Sequence, residues 1–491
     1  MVKTRLRDKV LEGAFWASLE GWGRQFASLV VFVLLARLLT PVEVGLFAMV
    51  AIVLAAVQTI LDEGLTEVLV QREHLEREHL DSAFWLVVGV SLALCGLTAL
   101  LADPIAQLFD QPGIAPLIAA ASLAPLLAGL SGVHQGLLRR RMDYRLLMVR
   151  SMAGVVAGGV AGVAMAWQGF GAWALVAQQV VDRLVGGLVL WCSTDWRPRL
   201  SFSWRHARDL MPFSAYLAAT RVVNFTSKQV DRYLIGLFMG PAVLGIYNIA
   251  LRVSDTAYAL LAQGLSNIGL NVFARLQKQP AKLREALVTA AELSNLFAMP
   301  AFLGLAVVAP NLVAVVFGPA WVEAGPILSV LALLGIPAMF STFAGALMRA
   351  LGTTRLLLWL LILSAVTNIL VVVGTVGYGL FAVAVGILVR NLCFIPLYLL
   401  IQKRLTGVSP LAHLARSAPG LAAAVGMAVV VWWIGGVMAA EGWTVQATLG
   451  GQIATGLATY PLLLALVARG SLARLIEALK GYRERTATAR A

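Results

Sequence analysis

The chain has 491 residues, of which 60% are hydrophobic and only 13% charged, where a soluble domain carries about 25% charge. That balance excludes an ordinary soluble enzyme and indicates an all-α polytopic membrane protein. The formal charge of +13 would suggest nucleic acid in a soluble protein, but here it follows from where lysine and arginine fall along the spans, and no nucleic-acid partner is expected.

A helix needs about 20 apolar residues to cross the hydrocarbon. On that window about fourteen spans are expected. The first six lie near 12–38, 44–62, 83–102, 114–138, 150–167 and 171–192. Six more lie near 210–239, 243–268, 293–317, 325–350, 356–375 and 379–401, and two last ones near 415–438 and 444–468. The basic start, Met1 to Lys9, leads into an apolar stretch that holds Glu20 and Arg24, which reads as a retained first span and not as a cleaved signal peptide. Cys95, Cys192 and Cys393 lie far apart with no CxxC, so neither a disulfide framework nor a thiolate metal site is expected.

Topology follows from lysine and arginine alone. One set of span ends collects most of the 38 such residues, including Lys3–Lys9, Arg139–Arg141, Arg197–Arg208, Arg275–Arg284, Lys403–Arg416 and the tail from Arg469. The opposite ends hold Arg37. Both termini are therefore expected in the cytoplasm. The outer loops are short (Asp103 to Pro112, Trp167 to Gly171, Gly374 to Gly379), and no loop is long enough for a folded domain.

An internal repeat is visible on self-comparison. Pro41-x-x-x-Gly45-x-Phe47 returns as Pro241-x-x-x-Gly245-x-Tyr247, and Gly64-Leu65 as Gly264-Leu265. Arg139 and Arg145 match Arg349 and Arg355, and Gly169-Phe-Gly171 matches Gly377-Tyr-Gly379. Six spans recur as six more, and an even number starts both copies on the same side. Two parallel six-helix lobes around a central cavity are expected, over 1–200 and 201–405. The last two helices and a basic tail, 406–491, stand outside the repeat.

The seventh span is where charge enters the apolar interior. It runs Arg221-Val-Val-Asn224-Phe-Thr-Ser-Lys228-Gln-Val-Asp231-Arg232, and meets the eighth at Gly240-Pro241. On a helix Arg221, Lys228 and Arg232 share one face, flanked by Asn224 and Asp231. The eighth span carries Asn248, Arg252 and Asp255 at i, i+4, i+7, and the first carries Glu20, Arg24 and Ser28 at i, i+4, i+8. Asp182-Arg183 falls opposite Arg390-Asn391 in the repeat. A charge at mid-bilayer costs about 2.5–3.5 kcal/mol even on lenient scales, so these groups face a wet cavity or one another. Cations outnumber acids, which predicts an anionic cargo with phosphate as the natural partner of arginine. The alternative is that they are interhelical ion pairs or arginines snorkelling to the interface. Asp231 has Lys228 or a facing lobe as its expected partner.

Gly154-x-x-x-Gly158-x-x-x-Gly162 permits close helix packing. His74 and His79 sit in a charged loop with Glu73, Glu76, Glu78 and Asp81, a solvated loop in preference to a metal site. There is no GxxxxGK[ST], HExxH or Asp-x-Asp; no catalytic residue, metal or cofactor is expected.

Three segments carry a resemblance: Leu35-Ala-Arg37-Leu-Leu-Thr-Pro41-x-x-x-Gly45, Asp231-Arg-Tyr-Leu-Ile-Gly236-x-x-x-Gly240-Pro-x-x-x-Gly245-x-Tyr247, and Phe317-Gly318-Pro319-Ala-Trp321. On these the chain resembles the Wzx-type oligosaccharide-lipid flippases of the MOP (multidrug/oligosaccharidyl-lipid/polysaccharide) superfamily, in the lipopolysaccharide-biosynthesis branch. The resemblance covers about the first 400 residues. It implies an inner-membrane protein that passes a polyprenyl-pyrophosphate-linked oligosaccharide unit to the outer leaflet by alternating access, for exopolysaccharide or lipopolysaccharide assembly. One departure is Ala262-Gln-Gly264-Leu-Ser-Asn267, where a more apolar, proline-bearing segment is expected.

The expected substrate ligands are thus Arg24, Arg221, Lys228, Arg232, Arg252, Asn224 and Asn248, with Asp231 and Asp255 as ion-coupling groups. The expected partners are the lipid-linked oligosaccharide, the bilayer and other polysaccharide-assembly proteins, around a monomer. A cation-coupled small-molecule exporter or a peptidoglycan-precursor flippase of the same superfamily is the alternative, though cationic drugs call for an acidic cavity. A membrane polymerase or ligase needs a sizeable external loop, which is lacking here.

Overall fold

The structure is a computed structural model that describes residues 2–61, 76–467 and 470, with only the backbone path for 2–12, 14–15, 17–18, 60, 205–228, 262–268 and 354. Gly64, Leu65, His74 and the basic tail lie outside the described residues. All regular structure among them is helical. The chain packs as two compact units, Met1–Asn248 and Ile249–Ala491.

The first unit begins with α1 (Val2–Leu38) and α2 (Pro41–Leu61). Their junction is set by a capping box: Thr40 N and Oγ1 donate to Glu43 Oε2 at 2.8 and 2.9 Å, and Glu43 N returns a bond to Thr40 Oγ1 at 3.4 Å. Pro41 occupies the first helical position, where its missing N–H has no helical acceptor to lose. Next come α3 (Arg77–Leu100), α4 (Ala102–Leu108), α5 (Ala115–Ala121), α6 (Leu123–Arg140), α7 (Tyr144–Trp167) and α8 (Ala172–Ser193). The expected outer loop after Asp103 is thus partly a short helix, α4. Residues 194–203, between α8 and the next helix, are strapped to the start of α3. Arg199 N and Ser201 Oγ donate to Asp81 at 3.3 and 3.2 Å, and Trp85 Nε1 donates to Arg199 O at 2.7 Å. Asp81 is only 1% exposed.

The long helix α9 (Trp204–Tyr258) is two arms joined at Gly240, whose φ of 82° and ψ of 179° lie outside the helical region. A continuous helix would separate Asp231 from Tyr247 by about 24 Å. Their side chains are instead hydrogen-bonded at 2.5 Å, so the chain doubles back at Gly240-Pro241. Thirteen helical stretches among the described residues are long and apolar enough to cross a membrane. Counting the two arms of Gln229–Leu261 separately agrees with the fourteen expected from hydropathy.

The second unit continues through a π turn, Ala259–Gln263, into α10 (Gly264–Leu276). The turn overlaps, at Ala262-Gln263, the segment where the resemblance implies a more apolar, proline-bearing stretch. Then follow α11 (Pro280–Val316), α12 (Ala324–Ala332), α13 (Gly335–Ala350), α14 (Thr354–Thr375), α15 (Leu380–Cys393), α16 (Ile395–Thr406), α17 (Pro410–Ala440) and α18 (Val445–Val467). The fourth span of each repeat is broken at matching places, Ser122 between α5 and α6, and Leu333-Leu334 between α12 and α13. Gly171 and Gly379, paired in the repeat, both hold positive φ (56° and 96°) at the start of α8 and α15. Phe317-Gly318-Pro319-Ala320-Trp321 forms the turn before α12, with Trp321 fully buried.

The two helices outside the repeat are packed on α11. Asn295 Nδ2 donates to Ser417 Oγ at 3.0 Å, Asn311 Nδ2 to Gln452 Oε1 at 2.9 Å, and Tyr460 OH to Leu296 O at 2.5 Å. Ala298, Met299 and Phe302 of α11 share a buried cluster with Met339 and Ala424.

Candidate functional site

In the first unit, α1, α7 and α8 bring charged side chains together inside the membrane-spanning bundle. Arg24 Nη2 lies 3.6 Å from Asp182 Oδ2. One turn earlier on α1, Glu20 Oε1 accepts a hydrogen bond from Ser151 Oγ of α7 at 3.0 Å. Arg150, one residue before that serine, is 8% exposed, and the charges acting on it are Arg24, Arg183, Asp182 and Glu20. Among the described residues, then, one Arg24–Asp182 ion pair sits in the field of two further guanidiniums, Arg150 and Arg183, and one further carboxylate, Glu20, a surplus of one positive charge. An arginine can turn several donors toward an anion, and its charge survives burial better than that of any other side chain.

The glycine stripe of α7 makes this cluster possible. A β-carbon on Gly154 would overlap the Asp182 carboxylate, and one on Gly158 would come within 3.1 Å of Asp182 Cβ. The stripe read as a packing motif also forms the slot that seats Asp182 beside Arg24. By sequence position alone Arg150 counts among the basic span ends that follow Arg139–Arg141, yet it is buried in the bundle. The available signal was its position four residues before Gly154, on the same face of α7.

A second set lies on α9. Asp231 is 9% exposed; its Oδ2 accepts the Tyr247 hydroxyl, and its buried Oδ1 has no hydrogen-bond partner. The sequence offered Lys228, whose side chain lies outside the described residues, or a facing lobe; the partner seen among the described residues is Tyr247. A spacing argument sees along one arm of the hairpin, whereas Tyr247 reaches back from the other. The repeat held the signal: the counterparts of Asp231 and Tyr247 are Val31 and Phe47, so acid and hydroxyl occur together in one copy and are absent together from the other. Arg232 Nη1 donates to Gln229 Oε1 at 2.9 Å. Asn248, half-buried, closes the first unit, while Arg252 and Asp255 lie beyond it on the same helix, half-buried and exposed. The side chains of Arg221, Asn224 and Lys228 lie outside the described residues.

Arg390, aligned with Asp182 in the repeat, has structural partners. Its Nε donates to Thr367 Oγ1 at 3.1 Å and its Nη2 to Ser364 O at 2.8 Å, and its guanidinium lies 5.0 Å from the Phe394 ring centroid. His79 is buried, with Nδ1 3.9 Å from Glu76. No group of three metal-ligating side chains occurs among the described residues.

Spans of this number, with charges held inside them and no strand among the described residues, define a multi-pass helical membrane transporter. Its fold is shared with two solved structures. "Lipid II flippase MurJ, inward closed conformation" superposes with a TM-score of 0.74 at 14% identity, covering 93% of this chain and 99% of that one. An inward-facing multidrug resistance MATE family transporter of the MOP superfamily gives 0.64 at 16% identity, over 78% and 95%. Residues 34–326 match the polysaccharide biosynthesis protein family, and the chain belongs to that family. Among its relatives, the succinoglycan biosynthesis transport protein ExoT of Rhizobium meliloti is 29% identical over 100% of this chain and 99% of its own. The lipopolysaccharide biosynthesis protein WzxC of Escherichia coli is 26% identical over 70% of each. The teichuronic acid biosynthesis protein TuaB of Bacillus subtilis is 26% identical over 72% and 73%.

Proposed function

We propose that this protein moves a polyprenyl-pyrophosphate-linked oligosaccharide across the bacterial inner membrane by alternating access, for exopolysaccharide or lipopolysaccharide assembly. The observation that carries the reading is the electrostatic cluster of Arg24, Arg150 and Arg183 with Asp182 and Glu20, which among the described residues has one more cation than carboxylates. A pyrophosphate brings more than one negative charge into a low-dielectric site and needs more than one cation. Asp182 holds Arg24 in place until the anion competes for it. Arg221, Lys228, Arg232 and Arg252 are proposed as further cationic ligands of the cargo, with Asn224 and Asn248 as neutral donors to phosphate or sugar oxygens. The polyprenyl tail stays in lipid. The chain acts as a carrier and not as an enzyme, with both termini in the cytoplasm. The relatives ExoT, WzxC and TuaB, each named for polysaccharide assembly, support the cargo class.

Asp231 and Asp255 are the groups proposed to couple transport to an ion gradient. Asp231 is suited by its buried, unbonded Oδ1, which gains from a proton or a cation.

The test is Arg24→Gln and Arg232→Gln, assayed for exported polysaccharide in cells matched for protein abundance. A charge-assisted contact contributes about 1.5–3 kcal/mol, so each loss weakens cargo binding by roughly tenfold to a hundredfold. Export at the wild-type level by both, and by Lys228→Gln and Arg252→Gln, refutes the reading. Rescue of cells depleted of their peptidoglycan-precursor flippase would replace it with that alternative.

A further inference from the structure

The second unit contains a cavity of about 430 Å³ where three helix ends meet. It lies between the first turns of α11, the 407–409 turn that ends α16, and the first turns of α17. Arg284, Glu285, Gly407, Ser409 and Arg416 are among the residues that line it. None of these belongs to the charged cluster of the first unit.

The cavity is built for an anion. Arg284 Nε donates to Thr406 O at 3.0 Å, which fixes the plane of the guanidinium while its terminal nitrogens remain available. Gly407 makes that pose possible. It ends α16 with φ 76° and ψ 8°, and a β-carbon there would sit 2.8 Å from Arg284 Nη2. Neither Arg284 nor Arg416 has a carboxylate within ion-pair distance among the described residues. Glu285 faces the same space, so the lining carries two positive charges against one negative. Ser409 caps α17 without a side-chain hydrogen bond, and Pro410 has no N–H, so Leu411 and Ala412 carry the first N–H groups of that helix end.

Position selects the source of the anion. Lys278, Lys282, Lys403 and Arg404 surround the same ends of α11 and α16. Ends this basic lie at the cytoplasmic membrane surface, at the depth of lipid phosphates. We infer that this cavity binds the phosphoryl headgroup of an anionic membrane lipid. One phosphodiester charge balances the surplus of one. The site ties the base of α17, a helix outside the repeat, to α11 and α16 through a lipid, and it is independent of the transported cargo.

The experiment reconstitutes the full chain in nanodiscs of phosphatidylcholine, with or without phosphatidylglycerol, and reads Tm and the phospholipid retained through delipidation. Phosphatidylglycerol is expected to raise the wild-type Tm and to be retained near one per chain. Arg416→Gln is the informative variant, because Arg416 is exposed and supports no described hydrogen bond, so its Tm in phosphatidylcholine should match wild type. It should lose the rise in Tm and retain about tenfold less phosphatidylglycerol, with Arg416→Lys in between. An equal rise in wild type and Arg416→Gln, or none in either, overturns the site. Inorganic phosphate added to phosphatidylcholine nanodiscs is the other arm: a rise with phosphate and none with phosphatidylglycerol overturns the lipid assignment in favour of a free anion.

Discussion

The carbonyl of Pro241 lies against the backbone of Gly45 so closely that a β-carbon on that glycine would overlap it, and Pro41 stands in the same relation to Gly245. The contact is reciprocal: each turn offers its proline carbonyl to the other's glycine, as a local twofold axis would generate. At this approach the glycine Cα–H groups face the carbonyls, and no larger residue fits. Gly45→Ala and Gly245→Ala are each expected to destabilise by about 1–3 kcal/mol through overpacking. Both should lower Tm and abundance in membranes. Gly21→Ala, with nothing within 4 Å of its new carbon, should leave both unchanged, and equal behaviour of all three would count against the paired turns.

Tyr247 and Asp231 bind the two arms of α9 to each other. Tyr247→Phe leaves the carboxylate buried without its donor, a loss of about 1–3 kcal/mol. Asp231→Val together with Tyr247→Phe copies the first repeat, where Val31 and Phe47 stand. The double variant should recover the wild-type Tm while export stays low. Normal export by it would remove Asp231 from coupling.

Neutralising Asp182 separates cargo binding from release. Asp182→Asn leaves Arg24, Arg150 and Arg183 facing Glu20 alone, so a pyrophosphate-bearing lipid should bind roughly tenfold more tightly in detergent. Export should fall, because the carboxylate that reclaims Arg24 is missing. Gly154→Ala presses on the same carboxylate and should lower export in the same direction. Weaker binding by Asp182→Asn would mean that Asp182 only holds the helices together.

Orientation is open to reporter fusions. Fusions after Arg140, Arg205 and Lys278 should report the cytoplasm, and those at Asp110 and Gly377 the opposite side. A reversed reading at Arg140 would overturn the proposed topology and move the lipid site to the outer surface.

The number and placement of the spans were legible in the sequence because lipid leaves a backbone no partner but itself, so length and hydropathy define each helix. The repeat was legible for a related reason. Its tight turns need proline and glycine at fixed places, and Pro41/Gly45 and Pro241/Gly245 kept them. Hydropathy did not mark the breaks at Ser122 and Leu333-Leu334, since both sides are equally apolar. Helical spacing puts Glu20, Arg24 and Ser28 on one face of α1 but gives no view of the helix opposite. Asp182 came to face Arg24 only through the slot at Gly154 and Gly158, and Tyr247 reached Asp231 only because Gly240 turned the chain back. Which charges belong to one another is a property of the packed helices: residues far apart in sequence pair where small side chains let backbones approach, and no periodicity along a single chain contains that distance.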